Sequence, residues 1–544
     1  MTSMMGMSFV AAPPASAADA VPSQVALIND AIEQGWRDYE IRPAPEVDDA
    51  TWCRRVYLDV IGRIPTLEEL KTFLDSKGSD KRAKLVDQLL YDDKYTEEYA
   101  NHWGSIWTNV LIGRSGGTDR RSMTSRDGMQ KYLRDAFATN KPYNTMVYEL
   151  VTAEGSTKPG TDKFNGAVNF LVDKVNDENG VLATSSTSRI FLGQQVQCTQ
   201  CHNHPFNQWK QQKFWEFNSF FRQTRSLRRF VNGTRDIDHA ELVSEDFAGE
   251  AGDPNDALVF YELRNGLTKV AYPVFTDGTE IEKSGYVSEV NRRQELGRLM
   301  LESEFLDKMA VNRIWSHFLG FGFTKPIDDL GPHNPASHPA LLEDLAKEFR
   351  KSSYDTKQLI TWITLSRPYN LKALLGPANE IDDPTIGEMP KFSRFYLRQM
   401  SAEQLYQSLV SSTNAGGGGS YEEQERQRRQ WMQQFVVAFG TDEGDEATTF
   451  NGSIPQALML FNGDLVKNAT STKPGSFLDQ LSQSGRSPRD RLTDLFMAGL
   501  ARRPSKDELT IAGKLMVARK GNEKEMLQDM WWAILNTNEF IMQH

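Results

Sequence analysis

Between Gln197 and Trp209 the chain reads QCTQCHNHPFNQW, which gathers Cys198, Cys201, His202 and His204 into seven positions of a chain with only three cysteines and eight histidines. Two thiols separated by two residues, with a histidine directly after the second, have the spacing of covalent c-type haem attachment. The thiols add to the two vinyl groups while the imidazole takes the iron, so all three must converge on one edge of the macrocycle. Such an iron usually takes a sixth ligand from a distant His or Met. His102, His317, His333, His338 and the methionines are the candidates. The same residues admit other readings. Zinc or another transition metal could use Cys198 and Cys201 with His202 or His204, although structural zinc sites usually add a second ligand pair and Cys53 is remote in sequence. A Cys198–Cys201 disulfide would be a small redox-active or structural loop, without the βαβ setting of a thioredoxin-like motif. The plainest reading is a helix start, with Pro205 in the first turn and Asn203 or His204 as its cap.

A second polar cluster follows. In VNRIWSHFLG, Arg313 and His317 are four residues apart and share a helical face. Asp328, Asp329, His333 and His338 lie just beyond. They could form a metal or acid–base site, or supply the distal ligand of a haem. The favoured reading is a buried network in which Arg313 pairs with Asp328 or Asp329 and fixes the loop. His338-Pro339 is expected to help start the helix ALLEDLAKEF. There is no G-x-S-x-G, Walker, dinucleotide-binding or H-E-x-x-H motif, and no residue is assigned a catalytic role. GTDEGDE, at 440–446, lacks the full EF-hand spacing and reads as a solvated loop in preference to a weak calcium site.

The elements that must hold these residues are mainly helical. From about 23 to 223, apolar residues recur at helical spacing, as with Leu85, Leu89, Tyr95, Tyr99 and Trp103. Thr66 with Glu69 three residues on forms a capping box ahead of LEELKTFL, and SDKRAKLV begins the next helix similarly. From about 224 to 289 short β-prone runs appear, notably ALVFYEL and KVAYPVF, with Asn265-Gly266 as a hairpin signal between them. The expectation is a mainly α, multidomain protein with a small β insertion: helical residues 23–223, the insertion at 224–289, a second helical region at 290–410, a Gly-rich linker with a charged helix at 411–452, and C-terminal helices at 453–544. The aromatic run around the cysteine motif, from Ile190 to Phe221, reads mainly as ordinary core.

A net charge of −11 disfavours nucleic-acid binding, which needs clustered cations. The short basic run RSLRRF at 225–230 reads as a solvated face. No stretch reaches the roughly 18 apolar residues of a membrane span. Residues 1–20 end in an A-x-A-like site, Ala15 to Ala17, and read as a truncated export signal, the alternative being a disordered tail. Export would place the cysteines in an oxidising compartment, either the periplasm or the cell surface.

The run SRIFLGQQVQCTQCHNHPFNQWKQQKFWEFNSFF resembles the signature of the planctomycete-specific cytochrome C-like domain, second type. YLDVIGRIPTLEEL, LVDQLLYDDKYTEEYANHW and ATNKPYNTMVYELV are similar to its earlier blocks. RRQELGRLMLESEFLDKMAVNRIWSHFLGFGFTKPIDDLGPHNPASHPALLEDLAKEF resembles the partner domain that usually follows it, as do SIPQALMLFNGDLV and LNTNEFIMQH. The resemblance implies an exported protein with haem at Cys198 and Cys201 and with His202 as proximal ligand; His204 is a matching neighbour of undefined role. It implies no particular reaction, and a redox partner or envelope component is the expected partner. The chain departs from the family in having no separate cytochrome module ahead of the domain.

Overall fold

The computed structural model describes residues 21–117, 119, 121–176, 179–205, 209–413, 430–432 and 463–544. The expected export signal, the Gly-rich linker and GTDEGDE lie outside these residues. The protein is mainly helical with small sheets of two or three strands.

Helices α1 (Ser23–Asp38), α2 (Asp49–Ile61), α3 (Leu67–Asp75), α4 (Lys81–Tyr91), α5 (Asp93–Ile112), α6 (Arg126–Ala138) and α7 (Tyr143–Thr152) form the first half of the helical body. The Thr66–Glu69 capping box is present, with Thr66 accepting from the Glu69 amide at 3.2 Å and Glu69 accepting from the Thr66 amide at 2.8 Å. Helix α4 begins where expected, but its N-cap Asp80 makes no side-chain cap bond. The five apolar residues that pointed to one face are all buried, yet they come from two helices, broken at Asp92.

After α8 (Val181–Leu192) and α9 (Gln211–Asn218), two hairpins make up the insertion. Strand β1 (Gly155–Ser156) joins β2 (Thr224–Phe230) and β3 (Ile237–Ser244) in the order β1-β3-β2, all antiparallel. Strands β4 (Val259–Glu262) and β5 (Thr268–Ala271) pair separately, and Gly266 turns between them with φ 79°. Arg292 and Arg293 open α10 (Arg292–Glu302) and are buried. Arg292 donates to the carbonyls of Ser219, Ala257 and Ser284, and Arg293 to the carbonyl of Ala153 and the hydroxyl of Ser244, so two side chains hold the insertion on the helices.

Helices α11 (Glu304–Leu319), α12 (Pro339–Lys351) and α13 (Thr356–Leu365) pack back onto the first half. One apolar core runs from Ile28 to Tyr396 through both helical regions, so the positions near 223 and 290 bound the insertion and not a break in the core. A second core joins α14 (Ala402–Thr413) and the C-terminal helices to Leu58 and Ile64. Strand β6 (Arg398–Gln399) pairs with β7 (Met542–Gln543). Buried Asp59, at the centre of this junction, accepts from Tyr369 Oη at 2.7 Å and pairs with Arg398.

Candidate functional site

Helix α8 ends at Gly193, whose φ of 60° lets the chain turn sharply. The turn that follows, Gln197–Gln200, is a 3-10 helix, and Cys201 continues it with φ −108° and ψ −20°. Residues i and i+3 eclipse on such a turn, so Cys198 and Cys201 stand on one side of it. Both are exposed and free. Thr199 between them is fully buried and donates to the Val196 carbonyl at 2.6 Å, which points the intervening residue inward. The Gln200 carbonyl accepts from Gln211 Nε2 and Trp215 Nε1, both at 3.1 Å. The turn is therefore clamped by two side chains of α9.

His202 Nδ1 lies 2.7 Å from the Asn203 carbonyl. A carbonyl can only accept, so this nitrogen carries the proton and Nε2 holds the free lone pair. Fixing one ring nitrogen on the backbone is how ligating histidines are commonly oriented. Pro205 itself is not helical and residues 206–208 lie outside the described ones; among the described residues the next helix begins at Gln211, where Asn203 Oδ1 accepts from the Gln211 amide at 3.1 Å. The aromatic wall divides. Phe191, Phe217, Phe220 and Phe221 belong to the main core, whereas Val181, Val196 and Phe214 form a satellite cluster with Trp209 and Trp215 packed on it.

The second polar cluster does not hold together as a unit. Asp328 pairs with Arg189 at 2.6 Å and accepts from Gln195 at 2.9 Å, and both partners flank the cysteine turn. Asp329 pairs with His333 Nε2 at 2.9 Å and accepts from the Gly331 amide at 3.0 Å. These bonds take the place of the expected pairing with Arg313, which is buried on α11. Leu330 donates to the Gly193 carbonyl at 2.7 Å. The loop carrying Asp328 and Asp329 thus docks on the end of α8, and the ring of His333 comes 5.6 Å from that of His204. His204 is held below the ordinary histidine range first by desolvation, then by His333, with His202 adding and Asp329 opposing.

His317 and His102 sit elsewhere. His102 is buried and His317 half-buried, with ring centroids 5.7 Å apart beside the Asp59–Arg398 pair, and desolvation holds each down to about 3. His338 precedes α12, where Pro339 is the first helical residue, and packs on Phe392 and Phe323 without capping the helix. Of the four histidines considered as distal ligands, His333 is the one brought to the cysteine loop. Sequence reasoning missed Arg189, Gln195, Gly193 and Leu330, although a glycine directly after a helical run is a helix-end signal.

These residues fit a covalent haem: the thiols are free and share a side, and the adjacent imidazole presents Nε2. A compact metal site is less complete. Among the described residues, no group of three or more His, Cys, Asp or Glu side chains is arranged to hold a metal ion. A cavity of about 420 Å³, lined by Ser125, Arg126, Lys158 and His239 among others, shares no residue with this loop.

Residues 27–226 match the family model PSCyt2, a protein of unknown function (DUF1549). Residues 292–516 match PSD1, a protein of unknown function (DUF1553), so the two models occur in that order along the chain. No curated protein and no solved structure matches the chain significantly. The cysteine turn lies in the first matched segment and the Asp328–Asp329 loop in the second, so the contact between them joins the two. Among the described residues, no helix is long and apolar enough to cross a membrane.

Proposed function

We propose that the chain is an extracytoplasmic carrier of one covalently attached haem, acting in one-electron transfer with a redox partner. The observation that carries this reading is the pair of exposed, free thiols on one side of a clamped 3-10 turn, directly before an imidazole whose Nδ1–H is tied to the backbone. The resemblance of the motif to a cytochrome C-like domain supports it. A bound haem supplies reversible one-electron chemistry. Cys198 and Cys201 tether it, and His202 offers Nε2 to the iron. Thr199, Gln211 and Trp215 keep the turn rigid, while the Arg189–Asp328 pair fixes the loop beside it. Such attachment belongs to an oxidising, exported setting.

The test is the intact mass of the mature chain, made with an export signal in a host that matures c-type cytochromes, together with a reduced-minus-oxidised spectrum. One haem of added mass, lost in Cys198→Ser and Cys201→Ser, is the expected result. An unmodified mass with three free thiols would overturn it.

A second reading follows from one further observation: Asp329 orients His333 against His204, as a carboxylate does behind a metal-bound imidazole. In it the chain is a non-haem envelope or surface protein whose loop binds zinc or another transition metal and which engages a polysaccharide or protein partner. Metal analysis of the same sample separates the two.

A further inference from the structure

The β2–β3 hairpin segregates its charges: its first strand and turn carry Arg225, Arg228, Arg229 and Arg235, and Asp236, Asp238 and Glu241 follow on the returning side. Residues 225–235, RSLRRFVNGTR, contain four arginines and no acidic residue, against a net charge of −11 overall. Arg229 pairs with Glu241 at 2.9 Å. Arg225, Arg228 and Arg235 are exposed, and no described carboxylate pairs with them. At the tip, Phe230 and Val231 are 53% and 43% exposed.

That exposure is not fraying. The tip is tied by its own bonds: the Val231 amide donates to the Asp236 carbonyl at 2.9 Å and the Thr234 amide to the Val231 carbonyl at 3.0 Å, with Gly233 at φ 77°. A bulge between Arg229 and Phe230 shifts the strand register just before the turn. Bulges of this kind re-aim side chains, and this one precedes an aromatic and a β-branched residue that stay exposed.

We propose that this hairpin docks the protein on an anionic lipid surface, with Phe230 and Val231 entering the headgroup boundary and Arg228 and Arg235 pairing with lipid phosphates. Two features select a lipid over a soluble polyanion. The apolar tip gains nothing from a polyanion but is driven from water into a bilayer interface. Strand geometry places Arg228 only about 7 Å from Phe230, so its guanidinium reaches the phosphate level when the tip is inserted. Arg225, about 17 Å back, adds longer-range attraction that salt screens. The proposal is independent of what the cysteine loop carries.

The test uses the full chain and co-sedimentation with vesicles of phosphatidylcholine alone or mixed with phosphatidylglycerol. Binding is expected to the mixed vesicles only and to weaken with salt. Each of Arg228→Ser and Arg235→Ser should lower the partition roughly fivefold, and Phe230→Ser with Val231→Ser at least roughly tenfold. In a Phe230→Trp variant that remains folded by circular dichroism, emission should shift to the blue on adding mixed vesicles. Equal affinity for both vesicle types would overturn the proposal, as would an unmoved tryptophan. So would arginine-dependent retention on a sulfated polysaccharide with no vesicle binding, since the ligand would then be a soluble polyanion.

Discussion

The imidazoles of His204 and His333 stand 5.6 Å apart with their planes tilted by 40°, one from the cysteine loop and the other from the loop between α11 and α12. Asp329 holds His333 from behind. The contact joins the two segments that match separate family models, so whatever the cysteine loop binds is presented beside residues of the second segment.

This contact has a titration signature. Desolvation, followed by the neighbouring His333, lowers His204 from its ordinary range. His333→Asn removes the second influence and leaves Asp329, which opposes the shift. In a histidine-labelled NMR titration, His204 should titrate below a free histidine in the native protein and move upward in the variant. A resonance that titrates identically in both would show that the rings are not in contact in solution.

The three thiols should separate kinetically. Cys198 and Cys201 are exposed, while Cys53 is fully buried and burial pushes its thiol well above the usual range. Reactivity follows thiolate fraction and access. In apoprotein without denaturant, two equivalents should react promptly with an aromatic disulfide reagent and the third only on unfolding. Three prompt equivalents would mean that the α2 core opens readily; none would mean that the turn is covered.

Much of the architecture was legible in local signals. Thr66 and Glu69 announced a helix start, Asn265-Gly266 a hairpin, and the C-x-x-C-H run a candidate site, because each depends on residues close in sequence. The pairing of Asp328 was not legible. Arg313 lay nearer in sequence and shared the helical region, but α8 brings Arg189 and Gln195 to the loop instead. The basic run at 225–230 was read by composition as a solvated face; its tip geometry, with Phe230 and Val231 held out by a bulge and a bonded turn, depends on register that composition does not carry.

Gly193 is the hinge on which the two loops meet. A side chain there would have to adopt φ 60°, and its Cβ would fall 2.7 Å from Leu330 Cγ and 3.0 Å from Met309 Sδ. Backbone strain and overpacking together should cost roughly 2–4 kcal/mol. Gly193→Ala is therefore expected to lower the urea midpoint and to weaken the Leu330–Gly193 bond, seen as faster amide exchange at Leu330. Unchanged exchange would mean that the loop docks without this glycine.

Acid should weaken the fold before most carboxylates titrate. His102 and His317 are held by burial to about 3, with His317 and Arg398 as their respective next influences, and His338 and His544 to about 4. Each native pKa lies below the unfolded value near 6.5, so between those limits the unfolded chain binds more protons. Stability from these groups is complete above about pH 6.5 and is lost as pH falls toward 3 to 4. Each contributes at most about 1.4 kcal/mol per pH unit. Asp59, raised by burial, acts in the opposite sense. Urea midpoints at pH 7, 6 and 5 should therefore fall steeply below pH 6.5, and His338→Gln should make the decline shallower. A flat profile from pH 7 to 5 would require these imidazoles to accept protons in the native state, and would contradict the desolvation that lowers them.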